Sequence, residues 1–298
     1  MRAVLVLCAL LPACRVRAEQ AAWQRAAGAL SSTAIRAHVD FLTDDLLEGR
    51  RAGSRGEALA ARYVASQLES YGLPVVMRRV PLAVARMQSA QLTATRGNVQ
   101  VELKYGDDFL LLAAPRGDAL EVADPPFERP GLEPWLRMGP AGAAAALVPE
   151  GPLRVAISPA AVSQVNGARL LLKATLDHSE VSASDVVVTV PGRDPCAREV
   201  AAHHDSFGPG YPGALDGAVH VGILLEVARG LALARTKPRC TLTVISSGRG
   251  EWGGPHGVPP TGWQMDFDRR HSKRDRIARD FDWEAFKRRA QQILESLG

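Results

Sequence analysis

From residue 54 the chain alternates apolar and polar positions with a helical period. Ser54 and Glu57 have the spacing of a capping box, Leu59, Tyr63, Val64, Leu68 and Tyr71 follow on one stripe, and Gly72 ends the run. From about Val75 to Leu112 the period shortens toward two, in runs such as 91–95 and 99–104, which predicts short strands. The segment Asp124-Pro125-Pro126-Phe127-Glu128-Arg129-Pro130-Gly131 breaks any regular element and reads as a loop or a domain junction. Beyond it, residues 141–148 and 154–157 are small and apolar, and Val186 to Val190 is a β-branched run. A short apolar run, Glu199 to Ala202, ends in His203-His204-Asp205. A Gly- and Pro-rich loop follows, then a helix with Val219, Ile223, Leu224, Val227 and Leu231 on one face. The run Thr241 to Ser247 then reads as a second strand. Strand, helix and strand in that order predict a right-handed βαβ unit with a parallel pair, whose carboxyl edge is where such sheets bind ligands.

Length and composition narrow the classes. At 298 residues, with 46% hydrophobic and 23% charged side chains, the chain can build its own core, and collagen, coiled-coil and low-complexity classes are excluded. The net charge of +4 is small and dispersed, which gives no ground for a nucleic-acid partner. Residues 1–18 read as a signal peptide: Arg2, an apolar run from Ala3 to Ala13, and small residues at Val16 and Ala18. The run is shorter than the roughly 20 residues a spanning helix needs, so no permanent membrane span is expected. Leu11-Pro12-Ala13-Cys14 faintly has the form of a lipoprotein box, the less favoured alternative. A secreted or periplasmic location follows. Removal of the signal leaves Cys196 and Cys240, each just ahead of a predicted strand; a disulfide between them is conceivable, and the spacing leaves pairing open.

His203, Asp205, Asp216 and Glu251 fall at the carboxyl edge of the βαβ unit. Imidazole and carboxylates are donors that zinc accepts. Each also has an ordinary reading: a hydrogen-bonded core histidine, a helix N-cap, a solvated loop acid.

The order of the motifs resembles metallopeptidase family 28, the co-catalytic zinc aminopeptidases and carboxypeptidases with the related glutaminyl cyclases. The resemblance is carried by Phe41-Leu42-Thr43-Asp44-Asp45-Leu46-Leu47-Glu48-Gly49-Arg50, Ala202-His203-His204-Asp205-Ser206, Gly213-Ala214-Leu215-Asp216-Gly217-Ala218 and Gly250-Glu251-Trp252-Gly253. Residues 271–277 and 282–284 add to it near the carboxyl end. It implies an α/β fold with a mainly parallel sheet flanked by helices. Residues 19–84 and 186–298 would form an incomplete peptidase-like catalytic domain, and 85–185 an inserted, β-rich, protease-associated-like lid. It implies one or two zinc ions: His203 on one, Glu251 and His271 on the other, and Asp216 bridging. Asp205 would be the catalytic-site carboxylate that orients His203. The substrate would be a peptide, the activity a zinc exopeptidase of aminopeptidase type acting through metal-activated water.

Two departures stand out. The family has paired glutamates, the first a general base, where this chain has Gly250-Glu251, and His271 follows Glu251 by only 20 positions, as though a central piece of the fold were missing. Asp266 or Asp268 is a weak substitute for the lost ligand. Loss of a positioned base costs about 10²–10⁴ in rate, which keeps two alternatives open: a non-catalytic zinc- or peptide-binding homologue, and an acyltransferase of glutaminyl cyclase type. A third is an internally deleted chain whose sheet lacks neighbours. The basic residues 269–276 and 287–289 are interleaved with acids and read as solvated helix surface, and Trp252, Trp263 and Trp283 as packing residues.

Overall fold

The computed structural model describes residues 17–128, 147–158, 160–206, 208, 211–252 and 281–298. The signal peptide up to residue 16, and His271, Trp263, Asp266, Asp268 and the basic run 269–276, lie outside the described residues.

Helix α1 covers 17–28, and α2 is Ser32–Leu42, with the Ser31 side chain accepting from Ala34 N–H. Helix α3 is Arg55–Ser70, started by Ser54, whose hydroxyl accepts from Glu57 N–H, and closed before Gly72 at φ 79°. The helical reading thus holds at both ends. Its buried face is Glu57, Ala60, Ala61, Val64, Ala65 and Leu68, so Leu59, 41% exposed, lies off it.

The short strands expected from Val75 onward are joined. Strand β1 runs Val75–Arg96, followed by β2 (Val99–Leu103), β3 (Phe109–Ala113), β4 (Ala119–Ala123) and β5 (Phe127–Glu128). After β6 (Leu147–Pro149), β7 (Arg154–Ile157) and the single turn α4 (Val162–Val165) comes a second long strand, β8 (Arg169–Val190). Strands β1 and β8 pair antiparallel from Val75↔Val188 to Thr95↔Arg169, with an irregularity between Met87 and Ser89. Of the alternating runs, 91–95 is the end of β1 and 99–103 is β2, paired with it antiparallel from Leu92↔Leu103 to Arg96↔Val99; the stretch before them is one long strand that passes through Pro81. At Pro81 the described ladder partner is Ser182 of β8, on one side only, and a proline is tolerated where no second neighbour needs its N–H.

Strand β9 (Asp194–His203), helix α5 (Val219–Ala234) and strand β10 (Cys240–Ser247) form the predicted βαβ unit, with β9 and β10 parallel in register His203↔Ser247. Helix α6 (Trp283–Glu295) follows the N-cap Asp282. The main sheet has the order β2-β1-β8-β10-β9, with β4 on β8 and β6 on β1. The α/β class is as expected. Its sheet is not mainly parallel among the described residues: β9–β10 is the parallel pair, and the β1–β2, β1–β6, β1–β8, β4–β8 and β8–β10 ladders are antiparallel. The parallel expectation came from the βαβ signal and could not see that the partner of β10 is the returning arm of a hairpin-like ribbon.

Two hydrophobic cores share that ribbon. One gathers α1, α2, α3, α5 and α6 on the sheet around Val186, Val188, Leu242 and Val244; the other lies at the far end, around Leu92, Phe109, Val155 and Leu172. Helix α5 is apolar and buried over most of its surface, Leu233 at its end being 47% exposed. With the turn before it, it is long and apolar enough to cross a membrane, yet 83% of that window is buried inside the fold. The C-terminal helix bears out the packing readings: Trp283 packs on Phe281 and Phe286, and Lys287 and Arg288 pair with Glu284 and Asp282.

Cys196 and Cys240 form a disulfide, Cα–Cα 4.7 Å, across the starts of β9 and β10. It closes a loop of 44 residues that contains α5 and the candidate ligands His203 and Asp216. Reduction is expected to remove about 2–4 kcal/mol of stability, read as a fall in the urea midpoint with reductant; an unchanged midpoint would show the bridge to be dispensable.

Between α2, α3 and α5 lies a buried polar cluster. The Nδ1 of His38 is 2.8 Å from Tyr63 Oη, and the carboxylate of Glu226 accepts from Ser31 N–H and Arg229. Burial pushes the His38 imidazole below its usual value, Glu226 opposes that, and Arg229 adds to it. A histidine depressed in the fold lends stability above about pH 6.5, and that stability is lost as the pH falls from there through the lower folded value. Urea midpoints should therefore drop on acidification, and His38→Gln should flatten the drop; an equal drop in both proteins would place the sensitivity elsewhere.

Candidate metal centre

Parallel registration of β9 with β10 brings the two carboxyl ends side by side, and His204 N–H donates to Ser247 C=O at 2.8 Å. The residues just beyond those ends meet for that reason. His203 closes β9. Asp216 sits in a wide π-type turn, Ala214–Ala218, at the mouth of α5, and Glu251 in the 3-10 turn Gly250–Trp252 after β10. Turns of the π type are frequent at functional sites. Gly213 opens this one at φ 58°, and a Cβ there would stand 2.9 Å from Ser206 Cβ. Asp216 is thus not a helix N-cap. It is 2% exposed and held inside the turn.

The ligand atoms of His203, Asp216 and Glu251 all lie within 4.8 Å of one another. Of the five site residues expected from sequence, these three converge, Asp205 stands behind them, and His271 lies outside the described residues. Asp205 is fully buried. Its Oδ1 is 3.2 Å from His203 Nδ1 and accepts from Gly250 N–H at 2.7 Å, and its Oδ2 accepts from Glu251 N–H at 3.1 Å. A carboxylate only accepts, so Nδ1 carries the proton and Nε2 keeps its lone pair for a metal. Asp205 therefore orients the imidazole and also clamps the turn that carries Glu251, a second task the spacing could not reveal. Burial pulls the His203 pKa down, but the hydrogen bond and charge of Asp205 and the charge of Asp216 outweigh it and hold it above the usual value; Arg50 opposes them.

Arg50, fully buried, joins the loops around the site. Its guanidinium donates to the carbonyls of His204 at 2.5 Å, Pro212 at 2.7 Å and Gly213 at 3.3 Å, and also to that of Leu42. Its backbone exchanges bonds with Ser206. One planar fork thus spaces the His203 loop from the Asp216 turn, a task that suits arginine rather than lysine. A second network lies beneath. Ser246 donates to His204 Nδ1 (2.9 Å), and His204 Nε2–H donates to Glu57 (3.2 Å), which also accepts from Ser184 N–H. Glu57 is the residue whose carboxylate a capping box would turn back to the N-cap; it reaches across to β8 and β9 instead. Asp185 accepts from Ser247, Gly248 N–H and Arg249, which ties the turn after β10 to β8. Sequence reasoning gave Arg50, Glu57, His204 and Asp185 no place at the site. Arg50 and His204 stood within the quoted motifs without a role, and Glu57 had a signal of its own: an acid aligned with Ala61, Val64 and Leu68 on a buried helix face.

Position 250 is packed shut. A Cβ there would stand 2.2 Å from His203 Cβ and 2.3 Å from its Cγ. Arg249, the neighbouring cation, is turned to Asp185 at 3.4 Å.

Residues 185–253 match the model of Peptidase family M28, the family that the motifs resemble. That segment contains His203, Asp205, Asp216, Gly250 and Glu251. No curated protein matches the chain. Among solved structures, the chain is similar to an aminopeptidase from Aneurinibacillus sp. strain AM-1, at 17% identity and a TM-score of 0.46, over 75% of this chain and 64% of that one. It is similar to a zinc aminopeptidase from Bacillus subtilis at 17% identity and a TM-score of 0.43, over 73% and 61%. For a peptidase M28 precursor from Shewanella amazonensis SB2B the values are 18% and 0.46, over 76% and 66%. The chain spans less than two thirds of the length of each.

Proposed function

We propose that the protein is a zinc-dependent exopeptidase of aminopeptidase type, exported, acting slowly on peptides for want of a general base at position 250. The observation that carries this reading is the convergence of His203, Asp216 and Glu251 at the carboxyl edge of the βαβ unit. The donor set fits zinc: one imidazole fixed in its tautomer and two carboxylates. Zinc bound there would supply a Lewis acid for a peptide carbonyl and lower the pKa of water. The chain's own residues do the rest. Asp205 holds Nε2 of His203 toward the centre and fixes the Glu251 turn, and Arg50 holds the loop between them. Residues 85–185, in this reading, form an inserted module beside the catalytic half.

A binding role without turnover is the second reading, and Gly250 favours it: the family's base is missing and its place is filled by the His203 ring. Hydrolysis of aminoacyl reporter amides by the purified chain separates the two. The exopeptidase reading expects slow release, roughly 10²–10⁴ below an enzyme with its base, abolished by a chelator and restored by zinc. Zinc binding with release no faster than buffer would leave the binding role.

A further inference from the structure

We infer, resting on the zinc reading above, that His220 is a positioning residue of the metal centre: it fixes the peptide that follows Asp216, and so sets where that carboxylate stands relative to the His203 imidazole. His220 lies in the first turn of α5, four positions after Asp216, and is 8% exposed. Helical side chains lean toward the N-terminus of their helix, which lets a ring at this position reach back one turn. Its Nδ1–H donates to the main-chain carbonyl of Asp216 at 2.5 Å. A carbonyl only accepts, so Nδ1 carries the proton. Val219, Val221, Ile223, Leu224 and Leu225 around it are apolar and buried. A polar ring among them costs stability unless it finds partners, and one that it finds is the backbone of a metal ligand.

The peptide between Asp216 and Gly217 is held at both of its polar ends. Gly217 N–H donates to Gly213 C=O at 3.3 Å, and Asp216 C=O accepts from His220. The first of these bonds is longer than the usual 2.7–3.2 Å of an N–H···O contact, so the imidazole is the tighter of the two anchors. The same peptide lies against the other ligand. A Cβ on Gly217 would stand 2.8 Å from His203 O, 3.2 Å from Asp205 O and 3.2 Å from His203 Cε1. In the ring, Cε1 is bonded to Nε2, the nitrogen left for zinc. One peptide plane thus carries the Asp216 carboxylate on one side and abuts the His203 imidazole on the other. Its rotation would move the two ligands relative to each other, and His220 opposes that rotation.

The test compares two substitutions in the full chain. His220→Leu keeps an apolar side chain in the apolar surroundings and removes the donor; His220→Asn keeps an N–H donor at about the place of Nδ1. Zinc affinity is measured by calorimetric titration, folding by urea curves in chelator, and ligand geometry by the visible spectrum of the cobalt(II)-loaded chain. His220→Leu is expected to bind zinc roughly 10–100-fold more weakly, the effect of removing a ligand's hydrogen-bonded support, and to change the cobalt spectrum. His220→Asn should recover most of the affinity and the wild-type spectrum. Unchanged affinity and spectrum in a folded His220→Leu, or an equal loss in both variants, overturns the inference. If His220→Leu does not fold, His220→Asn decides: a loss of about tenfold or more there overturns it. A chain that folds with neither side chain makes His220 a structural residue and overturns it as well. Zinc on the wild type with His220→Leu unaffected would sink this inference and leave the zinc reading standing; no zinc on the wild type would sink both.

Discussion

Asp216→Ala is expected to abolish zinc binding and any zinc-dependent hydrolysis together, without unfolding the chain. Loss of an outer partner of a ligand costs roughly 10–100-fold in affinity, and removal of one of three direct donors costs more. Asp216 lies within 4.8 Å of both other donors and is 2% exposed, so no bulk solvent takes its place. The zinc-free variant should remain folded. The π turn is closed by backbone bonds from Gly217 and Ala218 N–H to Gly213 C=O, which alanine leaves in place. Zinc titration calorimetry and a urea curve in chelator check both halves. Wild-type affinity would remove Asp216 from the site; a collapsed urea midpoint would make it a structural residue.

The second large effect is a failure to rescue. If the want of a base were all that limits turnover, Gly250→Glu, which supplies an acid at that position, should raise the rate by about 10²–10⁴. The structure predicts the opposite. The new Cβ would stand 2.2 Å from His203 Cβ, so the imidazole must leave its seat, and Asp205 would lose its bond to Nδ1 or its grip on the 250–251 N–H groups. Overpacking of this kind costs about 1–3 kcal/mol, and the zinc affinity should fall with it. The variant is expected to be less stable, weaker for zinc and no faster on aminoacyl reporters. A gain in rate with zinc retained would show that the site can reopen around a base.

Local chemistry was legible where one segment carried its own signal. Ser54 and Gly72 bounded a helix, Thr241 to Ser247 read as a strand, and His203, Asp216 and Glu251 could be placed at one edge because a βαβ unit fixes which ends of its strands align. Long-range pairing was not legible. Short strands were expected where β1 runs unbroken for 22 residues, through Pro81 and the step between Met87 and Ser89, and nothing in the βαβ pattern announced that β8 would cover β10 antiparallel. The buried polar residues were harder still. Arg50 acts on backbone carbonyls, which leave no trace in side-chain spacing, and Glu57 satisfied a local capping pattern that its carboxylate abandons for His204. The close approach of His203 to Gly250, too tight for a Cβ there, leaves no mark in the sequence.

The most direct measurement is anomalous X-ray scattering at the zinc edge from crystals of the full chain grown with zinc. The account predicts zinc scattering at the carboxyl edge of β9 and β10, with His203 Nε2 and a carboxylate oxygen of Asp216 and of Glu251 each at about 2.0–2.2 Å from zinc. No peak there at saturating zinc, or a peak that none of these three side chains touches, would contradict it.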